Sequence, residues 1–187
     1  LGFNQQKRLE FDSDEAFKAA YLAAVGSYEK IRRAIDNLYD QERIKNNISL
    51  TSPVDAETLR RWAKVIPQEL IEQEERARDY KNSLSAMQPL HIGDVVSVPC
   101  YVPHALQHGV RVVEFQTPVY ERKILSFAQK VLTQDSWDTQ AALDLVQLDV
   151  PEQTRLNALF NDNGVLVEEV ARFDDFRVIR INLVAGQ

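Results

Sequence analysis

The chain has 187 residues, 44% hydrophobic and 27% charged, with a formal net charge of −6. That is the profile of an ordinary globular protein with room for one large or two small domains. The acidic balance argues against nucleic acid and anionic membrane as partners. No apolar run approaches the roughly 20 residues that a bilayer span requires. The opening LGFNQQKRLEFDSD lacks the basic, apolar and small-residue succession of a secretory leader. The single cysteine, Cys100, excludes an intrachain disulfide, so a reducing, cytoplasmic compartment is expected.

Leu1, Phe3, Leu9 and Phe11 punctuate a polar opening that reads as a short extended piece over residues 1–11. Asp12-Ser13-Asp14-Glu15 supplies N-cap chemistry for a helix over 14–25, whose Phe17, Ala20, Tyr21 and Ala24 share one face. Gly26-Ser27 is expected to break it, and a second helix follows over 28–45 with Ile31, Ile35, Leu38 and Tyr39. Residues 46–54 read as a loop or short strand. Asp55 caps a helix to about residue 65, and Pro67 suits the first turn of another to about residue 81. Within it Glu72, Glu74 and Glu75 are expected on a solvated face, and Trp62 and Trp137 are expected in the core.

After Pro89 the chain turns rich in Val and is punctuated by Gly and Pro, which predicts strands over 94–98 and 109–116. Residues 121–147 are mixed, with a helix around 138–146. A polar, loop-like stretch over 149–163 leads to a last pair of strands, 165–170 and 173–183, joined by a tight turn near Arg172. Helices first and strands afterwards predict an α+β fold.

Chemistry concentrates between Gly93 and Arg122. Gly93, Pro99 and His104 stand at the spacing G-x5-P-x4-H. Gly permits a turn into a strand, Pro ends that strand at a corner, and His heads the returning strand. A neutral imidazole nitrogen is a common zinc ligand at about 2.0–2.1 Å. A lone histidine is more often packed than ligating, and the Gly/Pro/His spacing is what favours a ligand here. His91 and His108 read as surface or turn residues. Glu114 and Gln116 share one face with Val110 and Val112, and Arg111, Val113 and Phe115 share the other. Which face is inward stays open, so Glu114 is either catalytic or solvated at a sheet edge. Arg122 beside Glu121 reads equally as an exposed pair of small energetic worth.

The spacing is that of the second cupin motif, G-x5-P-x-G-x2-H-x3-N, with Tyr101 where Gly is usual and His108 where Asn is common. The Tyr either narrows the corner or requires a different backbone there. GDVVSVPCYVPHALQHGVRVVEFQ resembles the type I phosphomannose isomerase segment of form GDVFYVPAGTPHAIGxGVLLLEIQ. TPVYERKILSF and WDTQAALDLVQLD resemble that family's continuation, LGFN resembles the strand leading into its helical insertion, and GVLVEEVARFDDFRVIRINL resembles the opening of its C-terminal cupin.

The resemblance implies a jelly-roll cupin with a helical insertion. Residues 1–12 would be a strand of the cupin core, 13–88 the insertion, 89–148 the core with the His motif, and 149–187 a linker and the start of a second cupin-like region. It also implies a zinc-dependent aldose–ketose isomerase that interconverts mannose 6-phosphate and fructose 6-phosphate. In the family, zinc is held by a Gln-x-His pair, a Glu and a later His. By motif position the later His matches His104, and Glu114 matches a candidate for proton transfer. Arg122 matches a catalytic and substrate-binding Arg, about two residues closer to the Glu than usual, and Lys130 is a weaker match to a phosphate-binding Lys. No Gln-x-His pair precedes the motif, so the chain is expected to be a fragment with an incomplete zinc site and little activity of its own. A non-catalytic cupin that binds a sugar or sugar phosphate is the alternative. Sheet edges left open by missing strands make homo-oligomerisation a further expectation.

Overall fold

The computed structural model describes residues 1–107, 109–117, 123–126, 138–151 and 154–183. It is an α+β protein of two compact units. One comprises Leu1–Gly2, Met87–Arg122 and Val146–Gln187; the other comprises Phe3–Ala86 and Lys123–Leu145. The segments 89–122 and 149–187, expected in separate regions, thus belong to one unit, and residues 3–12 belong with the helices. No helix among the described residues is long and apolar enough to cross a membrane.

The strand-rich unit holds an antiparallel meander of β1 (Asn157–Asp162), β2 (Val165–Arg172) and β3 (Arg177–Leu183) in the order β1-β2-β3. β1 falls inside the stretch expected to be loop. Asp162 pairs with Val165 across Asn163-Gly164, and both turn residues have positive φ, +47° and +77°. Asn-Gly is the pair that a two-residue hairpin turn with two left-handed positions demands. β2 and β3 match the expected pair, with the turn at residues 173–176, directly after Arg172. Glu168 is buried on β2, where its carboxylate accepts from Arg180 Nε and Asn182 Nδ2, both at 2.9 Å.

The strands expected over 94–98 and 109–116 are not formed among the described residues. A strand exists only where its backbone groups find a ladder. Here the Ser97 N–H donates instead to Thr154 Oγ1 at 2.9 Å, and the Val110 N–H turns back to the Gln107 carbonyl at 3.2 Å.

The helical unit contains α1 (Gln5–Arg8), α2 (Asp14–Lys45), α3 (Ala56–Ala63), α4 (Gln68–Ser83) and α5 (Thr139–Leu145). The opening is not extended throughout. Asn4 caps α1 by accepting from the Gln6 and Lys7 N–H groups, and Arg8 grips Asp14 with two bonds of 2.7 and 2.8 Å. Ser13 and Asp55 cap α2 and α3 as their sequence positions predict. Gly26 does not break the helix: α2 runs unbroken for 32 residues. A helical Gly costs about 1 kcal/mol relative to Ala. Buried Val25 and Tyr28 flank Gly26, and their packing carries the helix through.

Phe3 sits against Phe17 and Tyr21 edge to face, with ring centroids 5.4 and 5.2 Å away. It is held there by a bridge to Ser85 and by the Asn4 N–H, which donates to the Leu84 carbonyl. Trp62 is buried as expected, whereas Trp137 lies outside the described residues.

The acidic run of α4 is only partly solvated. Glu72 and Glu75 are exposed, but Glu74 is 6% exposed and Lys81, two turns along the same face, is 8% exposed. Glu74 accepts from Arg78 Nη1 at 3.0 Å and from the Tyr28 hydroxyl. Lys81 Nζ lies 4.7 Å from the Tyr28 ring centroid and 3.4 Å from Ser126 Oγ. Leu70, Glu74, Ala77, Lys81 and Leu84 follow helical spacing, so the face of α4 turned inward carries two charges. Burial holds the Lys81 ammonium pKa below its ordinary value. Burial, and then the Glu74 carboxylate, push the Tyr28 phenol up.

Glu74→Ala removes the acceptor of the Arg78 and Tyr28 bonds and the negative charge near Lys81, and is expected to lower stability by about 2–3 kcal/mol in urea unfolding. Glu74→Gln, which can still accept from Tyr28, is expected to cost less; equal losses would show that the carboxylate's bonds do not matter. Burial also raises the Tyr21 phenol, so Tyr21 and Tyr28 ionise more readily in the unfolded chain. Stability they contribute is complete below the ordinary tyrosine pKa and falls as pH rises through their raised values. Tyr28→Phe should flatten that alkaline decline, read as unfolding midpoint against pH.

Candidate functional site

Chemistry in the strand-rich unit gathers on the backbone between Gly93 and His104. Gly93 has φ +93°, inside a turn in which the Asp94 N–H donates to the His91 carbonyl and the His91 N–H donates to Asp94 Oδ2 at 2.7 Å. His91 is an exposed turn residue, as its sequence position suggested. Arg180 Nη1 donates to the Gly93 carbonyl at 3.0 Å, so the half-buried Glu168–Arg180 pair ties this turn to the sheet.

The second corner begins at Pro99. The Val102 N–H donates to the Pro99 carbonyl at 3.3 Å, and Tyr101, third residue of that turn, has φ +66°. A turn closed this way with positive φ at its third position is where Gly is normally required. Tyr101 therefore takes a backbone conformation that favours glycine. A non-glycine residue held there costs about 1–2 kcal/mol. Its side chain is 60% exposed and fills no core.

The carbonyls that follow are each satisfied. The Tyr101 carbonyl accepts from the Gln147 N–H at 3.0 Å, that of Val102 from His104 Nδ1 at 3.0 Å, and that of Pro103 from the Gly2 N–H at 2.7 Å. Val102 itself is buried. A carbonyl can only accept, so Nδ1 carries the proton and the lone pair of the neutral ring is at Nε2. This is the arrangement that prepares an imidazole to bind a cation or accept a proton through Nε2.

Glu114 is exposed, and no hydrogen bond or ion pair joins it to His104 among the described residues. Val113 and Phe115 on the opposite face are exposed as well, so neither face of 110–116 is inward here. Arg122, Lys130 and His108 lie outside the described residues. Zinc needs three or four ligating side chains around one point. No three His, Cys, Asp or Glu side chains converge in that way among the described residues. The described residues by themselves do not make a zinc site.

Sequence reasoning missed two features of this site. An open cleft beside Pro99 is bordered in part by Asn157 of β1, a strand whose signal was the Asn163-Gly164 dipeptide between two apolar runs. The three carbonyl contacts that fix His104 come from Gln147, Gly2 and the imidazole itself, and a linear motif carries no sign of the first two. In comparisons with models of known families, with curated proteins and with solved structures, the chain matched none.

Tyr101→Gly is expected to raise stability by up to about 1 kcal/mol, since relief of the left-handed strain exceeds the added freedom of the unfolded chain. Tyr101→Val, branched at Cβ, is expected to lower it. Thermal unfolding of both variants reads the difference, and a destabilised glycine variant would mean that the Tyr101 side chain holds the corner.

Proposed function

We propose that this chain carries part of a cupin-type sugar-phosphate isomerase of the type I phosphomannose isomerase kind. The observation that supports the reading is the corner at 99–104, where Tyr101, standing at the position usual for Gly in the cupin motif, has positive φ and His104 has Nδ1 tied to a carbonyl. On this reading the α+β fold is a jelly roll with a helical insertion, and the β1-β2-β3 meander is compatible with it. Moving a proton between C1 and C2 of an open-chain sugar needs a base, and it needs positive charge on the sugar oxygens. His104 is the zinc ligand this chain offers, Glu114 the candidate base, and Arg122 and Lys130 the cations for enediolate and phosphate oxygens.

A second reading, a cupin that binds a sugar phosphate without turning it over, draws support from the donor set. One imidazole is not a metal site, and Glu114 stands apart from His104 in the hydrogen-bond network.

Conversion of mannose 6-phosphate to fructose 6-phosphate, followed in a coupled assay with zinc supplied, separates the two. The isomerase reading expects little turnover and zinc below one equivalent from this chain alone. Once the chain is joined to a segment supplying the Gln-x-His pair and the Glu, it expects turnover that falls by about a thousandfold or more in His104→Ala. Hexose phosphate binding with no turnover by that longer protein would establish the second reading. Turnover unchanged in His104→Ala would sink the first.

A further inference from the structure

The β1-β2-β3 sheet has one polar and one apolar face, and the polar face is the one turned inward. Glu168, Arg180 and Asn182 share a side of the ladder, and Arg180 reaches from it to the Gly93 carbonyl at 3.0 Å. On the other side Phe160 stands opposite Val167, Val167 opposite Ile181, and Val165 opposite Leu183. Phe160 is 50% exposed, Ile181 62% and Leu183 73%. An antiparallel sheet ordinarily buries its apolar face and wets the polar one. Neighbouring apolar side chains left outward across three strands mark a docking surface.

The charges around this face indicate what covers it. Asp162, opposite Val165, ends β1, and its carboxylate accepts from neighbouring Asn163 Nδ2 and meets no cation among the described residues. Arg155 lies two residues before Asn157, at the other end of β1, exposed and with no carboxylate on it among the described residues. At that same end Glu169, opposite Asn157, is shared by Arg172 at 2.7 Å and Arg177 at 3.8 Å. The face is thus acidic at one end and basic at the other. A two-fold axis lying across the strands turns a second copy end for end. Each Asp162 then comes over the basic end of the other sheet, and the apolar side chains meet between the two ends. A face carrying one sign of charge would repel its own copy, whereas this one is complementary to itself.

We infer that the apolar sheet face is an isologous interface between two copies of this chain. Three strands about 4.8 Å apart and about 20 Å long present roughly 300 Å² of face. A standard interface buries about 800 Å² on each partner, so this dimer is weak and forms with rising concentration. The inference uses the face of the sheet rather than its open edges, and it does not depend on the isomerase reading.

Sedimentation velocity of the full chain from about 1 μM to about 500 μM tests it, with a shift from monomer to dimer expected inside that range. Ile181→Lys, which sets like charges in the middle of the face, should abolish the dimer. Asp162→Arg and Arg155→Asp should each weaken it about tenfold or more, because like charges then meet at the ends. An equimolar mixture of those two variants should associate as well as the wild type, since in the mixed dimer both end contacts again join opposite charges. Ile181 and Arg155 are exposed, so circular dichroism and the unfolding midpoint of their variants should match the wild type at low concentration. A wild type that stays monomeric throughout, growth past the dimer of the kind open sheet edges give, a dimer that survives Ile181→Lys, or a mixture no tighter than its parts would each overturn the inference.

Discussion

The backbone at Tyr101 turns with φ +66°, and the chemistry available in the strand-rich unit hangs from that turn. A left-handed residue reverses the chain within one peptide, so the next three carbonyls point in directions a continuing strand would not allow. Each finds a donor: the Gln147 N–H, the His104 ring and the Gly2 N–H. Satisfied carbonyls keep a corner from relaxing, because every alternative geometry leaves a polar group without its bond. The strain at Tyr101 is local and of the order of 1–2 kcal/mol, and three bonds plus the burial of Val102 offset it. His104 thereby has a fixed tautomer and a restricted ring before anything binds to it.

The helical unit solves a different problem. Its inward α4 face carries Glu74 and Lys81 where leucines would serve as well for burial. The two charges coexist with the core because each has several contacts: Arg78 and Tyr28 for the carboxylate, the Tyr28 ring and Ser126 for the ammonium. Such a network adds little net stability over an apolar seam, but it is costly to break singly. It also fixes the register of α4 against α2, since a one-residue rotation would move Glu74 off Tyr28. The aromatic group of Phe3, Phe17 and Tyr21 nearer the start of α2 packs edge to face, and its one polar atom, the Tyr21 hydroxyl, bonds to Ser85 and Ser126.

Much of this was legible in the residues, and the failures share a cause. Helix starts at Ser13 and Asp55 were readable because a cap is a local hydrogen bond between residues two or three apart. The helix break expected at Gly26 was misread because local propensity of about 1 kcal/mol is smaller than the packing on both sides of it. Glu74 was misread because a run of glutamates looks solvated until the spacing from Leu70 to Leu84 is followed across it. The strands at 94–98 and 109–116 were misread because Val-rich sequence states a preference for pairing and cannot supply the partner. In the candidate site, the Gly93, Pro99 and His104 spacing located the corner. What orients the imidazole comes from Gln147 and Gly2, more than forty residues away in either direction.

Gln147 and Pro99 each serve two neighbours. The Gln147 backbone N–H holds the Tyr101 carbonyl and the residue also borders the open cleft beside the β1–β2 hairpin, while Pro99 opens the turn and borders the same cleft. The left-handed turn at Tyr101 and the wall of that cleft are therefore built from the same residues, so a change that relaxes one disturbs the other.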